Sequence, residues 1–174
     1  MIAPRPGNEG KRVANLHEYQ IMDTAADPAF DNLVKTASAV AEMPVSLINL
    51  VDEHRAWFKA KLGIEMDGTS RDISFCSHAI LTEVPTIVED TTCDVRFSDH
   101  PLVISAPNLR FYAGFPLVSK EGYVLGALCV IDRVPRKLSV KQIEILQLLA
   151  KLAVSLIERN HFRCSLEQTK LKIC

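Results

Sequence analysis

From Ser139 to Phe162 the chain contains neither glycine nor proline. Ser139, with Gln142 three residues on, fits a capping box, so a helix of several turns is expected to start there. Two apolar stripes run along it. One holds Leu138, Ile145, Leu149, Leu152 and Leu156; the other holds Ile143, Leu146, Ala150, Ala153 and Ile157. One stripe can cover a sheet, and the second needs another partner, either a first-half helix or a second subunit. The preceding residues must therefore supply an apolar layer.

They do so as strands. "PVSLINLVD" (44–52) is rich in aliphatic and β-branched residues and reads as a buried strand. "EHR" turns, and "AWFKAKLG" (56–63) alternates, Trp57, Lys59 and Lys61 opposing Phe58, Ala60 and Leu62. "PTIVED" is a short strand. "RFYAGFPLVS" (110–119) is a strand with Gly114 and Pro116 inside it, which predicts a bulge or an edge. "KEG" turns into the buried strand "YVLGALCVID" (123–132). Two helices precede the strands. Val13, Leu16, Tyr19 and Ile21 have roughly helical spacing within 11–22. Asp27 then caps a helix with Pro28 at its first position, carrying Phe30, Leu33, Val34, Ala37 and Val40 inward until Pro44. Ser74 is expected to cap a short helix through "FCSHAILTE". Residues 1–10 read as a flexible lead, 11–160 as one domain, and 161–174 as a helical extension or a linker to an output domain, with Leu166 and Leu171 still apolar.

The 174 residues suffice for one domain with a core. A net charge of −1 with dispersed Lys and Arg leaves no electrostatic footprint for nucleic acid. No apolar run reaches the roughly 20 residues needed to span a bilayer, and no signal-peptide core opens the chain, so a cytoplasmic protein is expected. The five cysteines are odd in number and widely spaced, which points to reduced thiols.

Several phrases in order, "LHEYQIMDTAADPAFDNLVKTASAV", "PVSLINLVDEHRAWFKAKLGI", "SFCSHAI", "RFYAGFPLV" and "LGALCVIDRVPRKLSVKQIEILQLLA", together resemble the GAF domains of bacterial sensor proteins. The resemblance runs from about Leu16 to Glu158. It implies an α+β fold: an antiparallel sheet of five or six strands, N- and C-terminal helices on one face, and a ligand pocket under loops and short helices on the other. It also implies a non-enzymatic small-molecule sensor, homodimeric through its terminal helices, acting on a kinase or cyclase output domain in a two-component or related pathway. The ligand, and any cofactor, stays unidentified. A thiol-based redox sensor or enzyme using Cys76, Cys93 or Cys129 is a second reading, and a dimerisation module with a vestigial pocket a third.

The candidate residues follow from that frame. Cys76 and His78 stand two apart, so on a helix they point about 200° from each other and make a poor catalytic pair. Cys76 reads as a buried small hydrophobe; His78 reads as an interior polar group or a ligand contact beside Phe75. Bilin-binding relatives use a Cys directly followed by His, which Cys76-Ser77-His78 does not match. No zinc spacing occurs among the His and Cys residues. In "DTTCDVRFSDHPLV", Asp94, Arg96 and Phe97 border the implied pocket; Arg96 either meets an anionic ligand or pairs with Asp94, Asp90 or Asp72 to pin the loop. Strand 110–119 sets Phe111, Ala113 and Phe115 on one face and Tyr112 and Gly114 on the other. Phe111, Ala113, Phe115 and Trp57 are taken as the pocket-facing set. Leu138, Ile145, Leu149, Leu152 and Leu156 are taken as the dimer stripe.

Overall fold

A computed structural model describes the backbone of residues 2–171 and the side chains of residues 2–163. The chain forms α1 (Glu9–Glu18), α2 (Pro28–Ala41), β1 (Val45–Val51), β2 (Arg55–Leu62) and β3 (Gly68–Ser70). After a 3-10 turn at Arg71–Ile73 come α3 (Cys76–Ala79), β4 (Thr86–Val88), α4 (Pro101–Ile104), β5 (Phe111–Val118), β6 (Val124–Asp132) and α5 (Val140–Leu171). The six strands make one antiparallel sheet in the order β3-β2-β1-β6-β5-β4. The two hairpins expected from the sequence, β1–β2 and β5–β6, form its middle.

Local chemistry explains the boundaries. Asp27 accepts a hydrogen bond from the Ala29 N–H at 2.9 Å, and Pro28 opens α2. Glu42 ends it in the left-handed conformation, φ 55°. Ser139 and Gln142 form the expected reciprocal cap of α5, and the Gln142 side-chain amide also donates to the Val40 carbonyl, joining α5 to α2. Gly122 takes φ 82° in the β5–β6 turn.

The sheet divides two cores. On one face α1, α2 and α5 enclose Leu16, Phe30, Val34, Ile48, Leu50, Phe115, Leu128, Leu146 and Ile157. On the other, α3, α4 and their loops cover Leu47, Val51, Phe58, Phe97, Tyr112, Ala127 and Cys129.

Four details differ from the sequence expectations. Helix α1 begins at Glu9, inside the expected lead, because the Glu9 carboxylate is clamped by Arg12 and Arg71. Both guanidinium groups are buried. Burial pushes the Glu9 carboxyl up, but hydrogen bonds and charge from the two arginines outweigh it and bring it down to about 2. The alternation of β2 breaks at a bulge, since Ile48 pairs with Ala60 and Asn49 with Phe58. Lys59 is the extra residue, so Ala60 and Leu62 join Trp57 on the helix-covered face rather than opposing it. Ser74 does not cap α3: the N-cap is Phe75, without a side-chain bond, and α3 ends at Ala79. The Ser74 hydroxyl is taken by the Asn49 amide instead.

The fourth concerns the stripe on α5. Leu138 and Leu149 are buried within the chain, and Ile145 and Leu156 pack partly against its core; of the five, Leu152 is exposed. Leu148, one turn before Leu152 and also exposed, was missed by the stripe. Leu166 and Leu171 lie outside the described side chains.

Candidate functional site

Beneath α3 and α4 lies a cavity of about 450 Å³. That is within the range of about 300–1,000 Å³ typical of small-molecule sites. Its floor is the sheet: Leu47 and Asn49 of β1, Phe58 of β2, Thr69 of β3, Tyr112 of β5 and Ile131 of β6. Phe75 and Cys76 at the start of α3 form one wall, and Leu102, Pro107 and Leu109 another. Among the described residues no carboxylate lines it, and Arg133, exposed, is its one charged side chain.

The polar groups in this apolar wall are few. Asn49 is 2% exposed. Its amide nitrogen donates to Ser74 Oγ at 3.3 Å, while its Oδ1 is buried with no partner. Thr69 Oγ1 is likewise buried and unpartnered. A buried acceptor left unpaired costs about 1–3 kcal/mol. Asn49 is held there by register: it pairs with Ala127 of β6, and the bulge in β2 brings Phe58 beside it.

Cys76 has closer company than its sequence neighbour His78. Its Sγ lies 3.2 Å from Cys129 Sγ and accepts a hydrogen bond from the Tyr112 hydroxyl, also at 3.2 Å. All three side chains are buried. Hydrogen bonding from Cys129 pulls the Cys76 thiol below its ordinary range against the opposing effect of burial, with Tyr112 helping. Its bond to Cys76, together with burial, pushes Cys129 up. Cys76, which also accepts from Tyr112, is the better placed of the two to carry a thiolate.

Of the nine residues expected at the ligand site, Phe75 lines this cavity. Phe97 stacks on Phe75 with ring centroids 4.5 Å apart, and His78 meets Phe97 edge-on at 4.8 Å, so both stand behind the wall. Asp94 and Arg96 pair with each other through two hydrogen bonds, Nε to Oδ1 at 2.9 Å and Nη2 to Oδ2 at 2.6 Å. This is the loop-pinning arrangement, with the guanidinium also over Phe97. Phe111, Ala113 and Phe115 lie on the opposite face, in the core under α5, and Trp57 also faces the helices. The cavity-facing residue of β5 is Tyr112. The alternation separated the faces correctly, but the aromatic-rich one was assigned to the wrong side. Asn49 and Thr69 were missed; a single amide inside the apolar run "VSLINLV" was the available signal. Among the described residues no group of three or more His, Cys, Asp or Glu side chains could hold a metal ion. No described helix is long and apolar enough to cross a membrane.

Comparison with known proteins adds the family. The GAF domain model matches residues 25–157. A cyclic di-GMP phosphodiesterase of Pseudomonas aeruginosa is 39% identical over 155 residues, which are 88% of this chain and 26% of that protein. The chain thus spans about a quarter of that relative's length. The GAF domain of an Acinetobacter phosphoenolpyruvate-protein phosphotransferase superposes with TM-score 0.66 at 18% identity, over 89% of this chain and 98% of that one. The PixJ GAF domain of Thermosynechococcus elongatus, in its blue-light-absorbing form, superposes with TM-score 0.65 at 17% identity, over 92% and 95%. At such identities the two structures speak for the fold.

Proposed function

The chain belongs to the GAF domain family, and on that premise we propose that it is a non-enzymatic, small-molecule-sensing module of a bacterial signalling protein. The observation that carries the reading is the unpaired Asn49 Oδ1 in an apolar cavity of about 450 Å³. An acceptor buried without a partner is a cost to the empty domain that a bound donor removes. The occupant that fits is a largely apolar, uncharged molecule carrying an N–H or O–H aimed at Asn49, with Thr69 as a second polar contact. The absence of wall carboxylates among the described residues argues against a cationic ligand.

Native mass spectrometry of freshly purified protein tests this. One small organic molecule per chain is expected to co-purify. Asn49→Leu keeps the branching and heavy-atom count of the side chain and removes the acceptor, together with the amide that donates to Ser74 Oγ. It is expected to abolish that adduct while leaving the stability of the empty domain within about 1 kcal/mol of the wild type, relief of the unpaired acceptor offsetting loss of the Ser74 bond. An unliganded wild type that also shows no thermal shift with indoles or phenols would sink the reading.

Signal output is assigned to α5, which packs on the sheet and on α2 and extends to Leu171. We place a homodimer contact at exposed Leu148 and Leu152, with a separate kinase, cyclase or phosphodiesterase domain receiving the change in a cytoplasmic pathway. The name of the Pseudomonas relative supports a cyclic-dinucleotide setting. Light scattering is expected to give a dimer at high micromolar concentration, and Leu152→Glu a monomer. A monomeric wild type would remove the dimer from the scheme.

A further inference from the structure

We infer that Cys76 and Cys129 form a peroxide-reactive dithiol, in which Cys76 meets a hydroperoxide from the cavity and Cys129 resolves it as a disulfide. This goes beyond ligand sensing and does not depend on it.

The geometry carries the assignment. The two residues are 53 apart in sequence and come from different elements, α3 and β6, yet their sulfurs lie 3.2 Å apart. A disulfide needs about 2.05 Å between sulfurs, so the pair has little further to close. The roles are unequal. Cys76 lines the cavity, whereas Cys129 sits behind it on the central strand, fully buried. An oxidant entering the cavity therefore reaches Cys76 first. Tyr112 donates its O–H to Cys76 Sγ, which stabilises a thiolate there. Gly114 makes room for that phenol, because a Cβ at this position would come within 2.3 Å of the Tyr112 hydroxyl.

The chemistry balances in two steps. Cys76 sulfur attacks the terminal oxygen of the hydroperoxide. An S–O bond forms, the O–O bond breaks, and the alcohol, or water from hydrogen peroxide, leaves with the thiol proton. Cys129 sulfur then attacks the sulfenic sulfur. The S–S bond forms, the S–O bond breaks, and the hydroxyl leaves with the Cys129 proton as water. The two thiols lose two electrons and the peroxide gains them. The product ties α3, the lid of the cavity, to the middle of the sheet. It also turns the sulfur that accepts from Tyr112 into half of a disulfide.

The test uses the whole chain, treated with hydrogen peroxide or cumene hydroperoxide and digested without reduction. The expected result is one cross-linked peptide joining Cys76 to Cys129, reversed by dithiothreitol, with a higher melting temperature for the oxidised protein. Cys129→Ser is expected to stop at a sulfenic acid on Cys76, trapped by dimedone. Exposed Cys93 provides the internal comparison. Oxidation of Cys93 while Cys76 and Cys129 of the folded wild type stay reduced would overturn the proposal. So would dimedone labelling of Cys129 in preference to Cys76. The wild-type peptide map decides even if a variant fails to fold.

Discussion

Replacing Glu9 with glutamine is expected to destabilise the fold by about 3–5 kcal/mol, the usual cost of removing one partner from a buried ionic group. Glu9 bonds Arg12 through both carboxylate oxygens, at 2.8 and 2.9 Å, and also receives Arg71 Nη1. Arg12 is 1% exposed and Arg71 5%. Glutamine would leave two buried guanidinium charges with no counter-charge at this point. Arg71 would keep its bond to the Asp52 carbonyl and Arg12 its long bond to that of Val124. Neither carbonyl supplies a formal charge. Arg71 opens the turn that leads into Ile73, Ser74, Phe75 and Cys76, all on the cavity wall, so binding should weaken with stability. In a chain of this size each kcal/mol moves the melting temperature by about 2–4 °C.

The same group sets an acid limb. The Glu9 carboxyl is depressed in the fold to about 2 from an ordinary 4.5. Its contribution is therefore complete above the unfolded value and is lost as pH falls through 4.5 toward 2, where the unfolded chain takes up a proton that the folded chain refuses. Urea melts of the wild type and Glu9→Gln are expected to differ most near neutrality and to converge across that window. A difference independent of pH would show that Glu9 acts by packing alone.

Glu9 also shows where sequence reading stops. Periodicity and caps made five of the six strands, both hairpins, α2 and the start of α5 legible, because each is decided by residues close in sequence; β3, Gly68–Ser70, is too short to show a period. The Glu9–Arg71 contact spans 62 positions and leaves no periodic trace, so residues 1–10 looked like a lead. The bulge at Lys59 reverses the faces of Ala60 and Leu62, and alternation has no term for an inserted residue. On β5, period two separates Tyr112 from Phe111 but does not say which face the helices claim. Cys76 is similar: its chemistry lies with Cys129, not with the nearby His78 that the phrase "CSH" brings forward. Asn49 was readable, since an amide in an apolar strand requires a partner.

Gly126→Ala is expected to cost more than about 4 kcal/mol, or to prevent folding, placing it in the tail of single-substitution effects. Gly126 pairs with Leu50 between the two central strands. A Cβ there would lie 2.0 Å from the Asn49 carbonyl oxygen and 2.9 Å from the Leu50 Cα. Both obstacles are backbone, so no side chain can swing aside, and β1 must separate from β6. The ladder bonds lost would be those that set Asn49 against the cavity. The same exchange at Gly10 supplies the contrast. Gly10 lies in α1 with nothing within 4 Å of its Cβ position. Gly10→Ala should stabilise by up to about 1 kcal/mol, through helix propensity and a less flexible unfolded chain. Circular dichroism melts of the two variants beside the wild type should therefore move in opposite directions. A Gly126→Ala protein that melts like the wild type would mean that the central strands have slack, and that register alone does not hold Asn49 at the cavity wall.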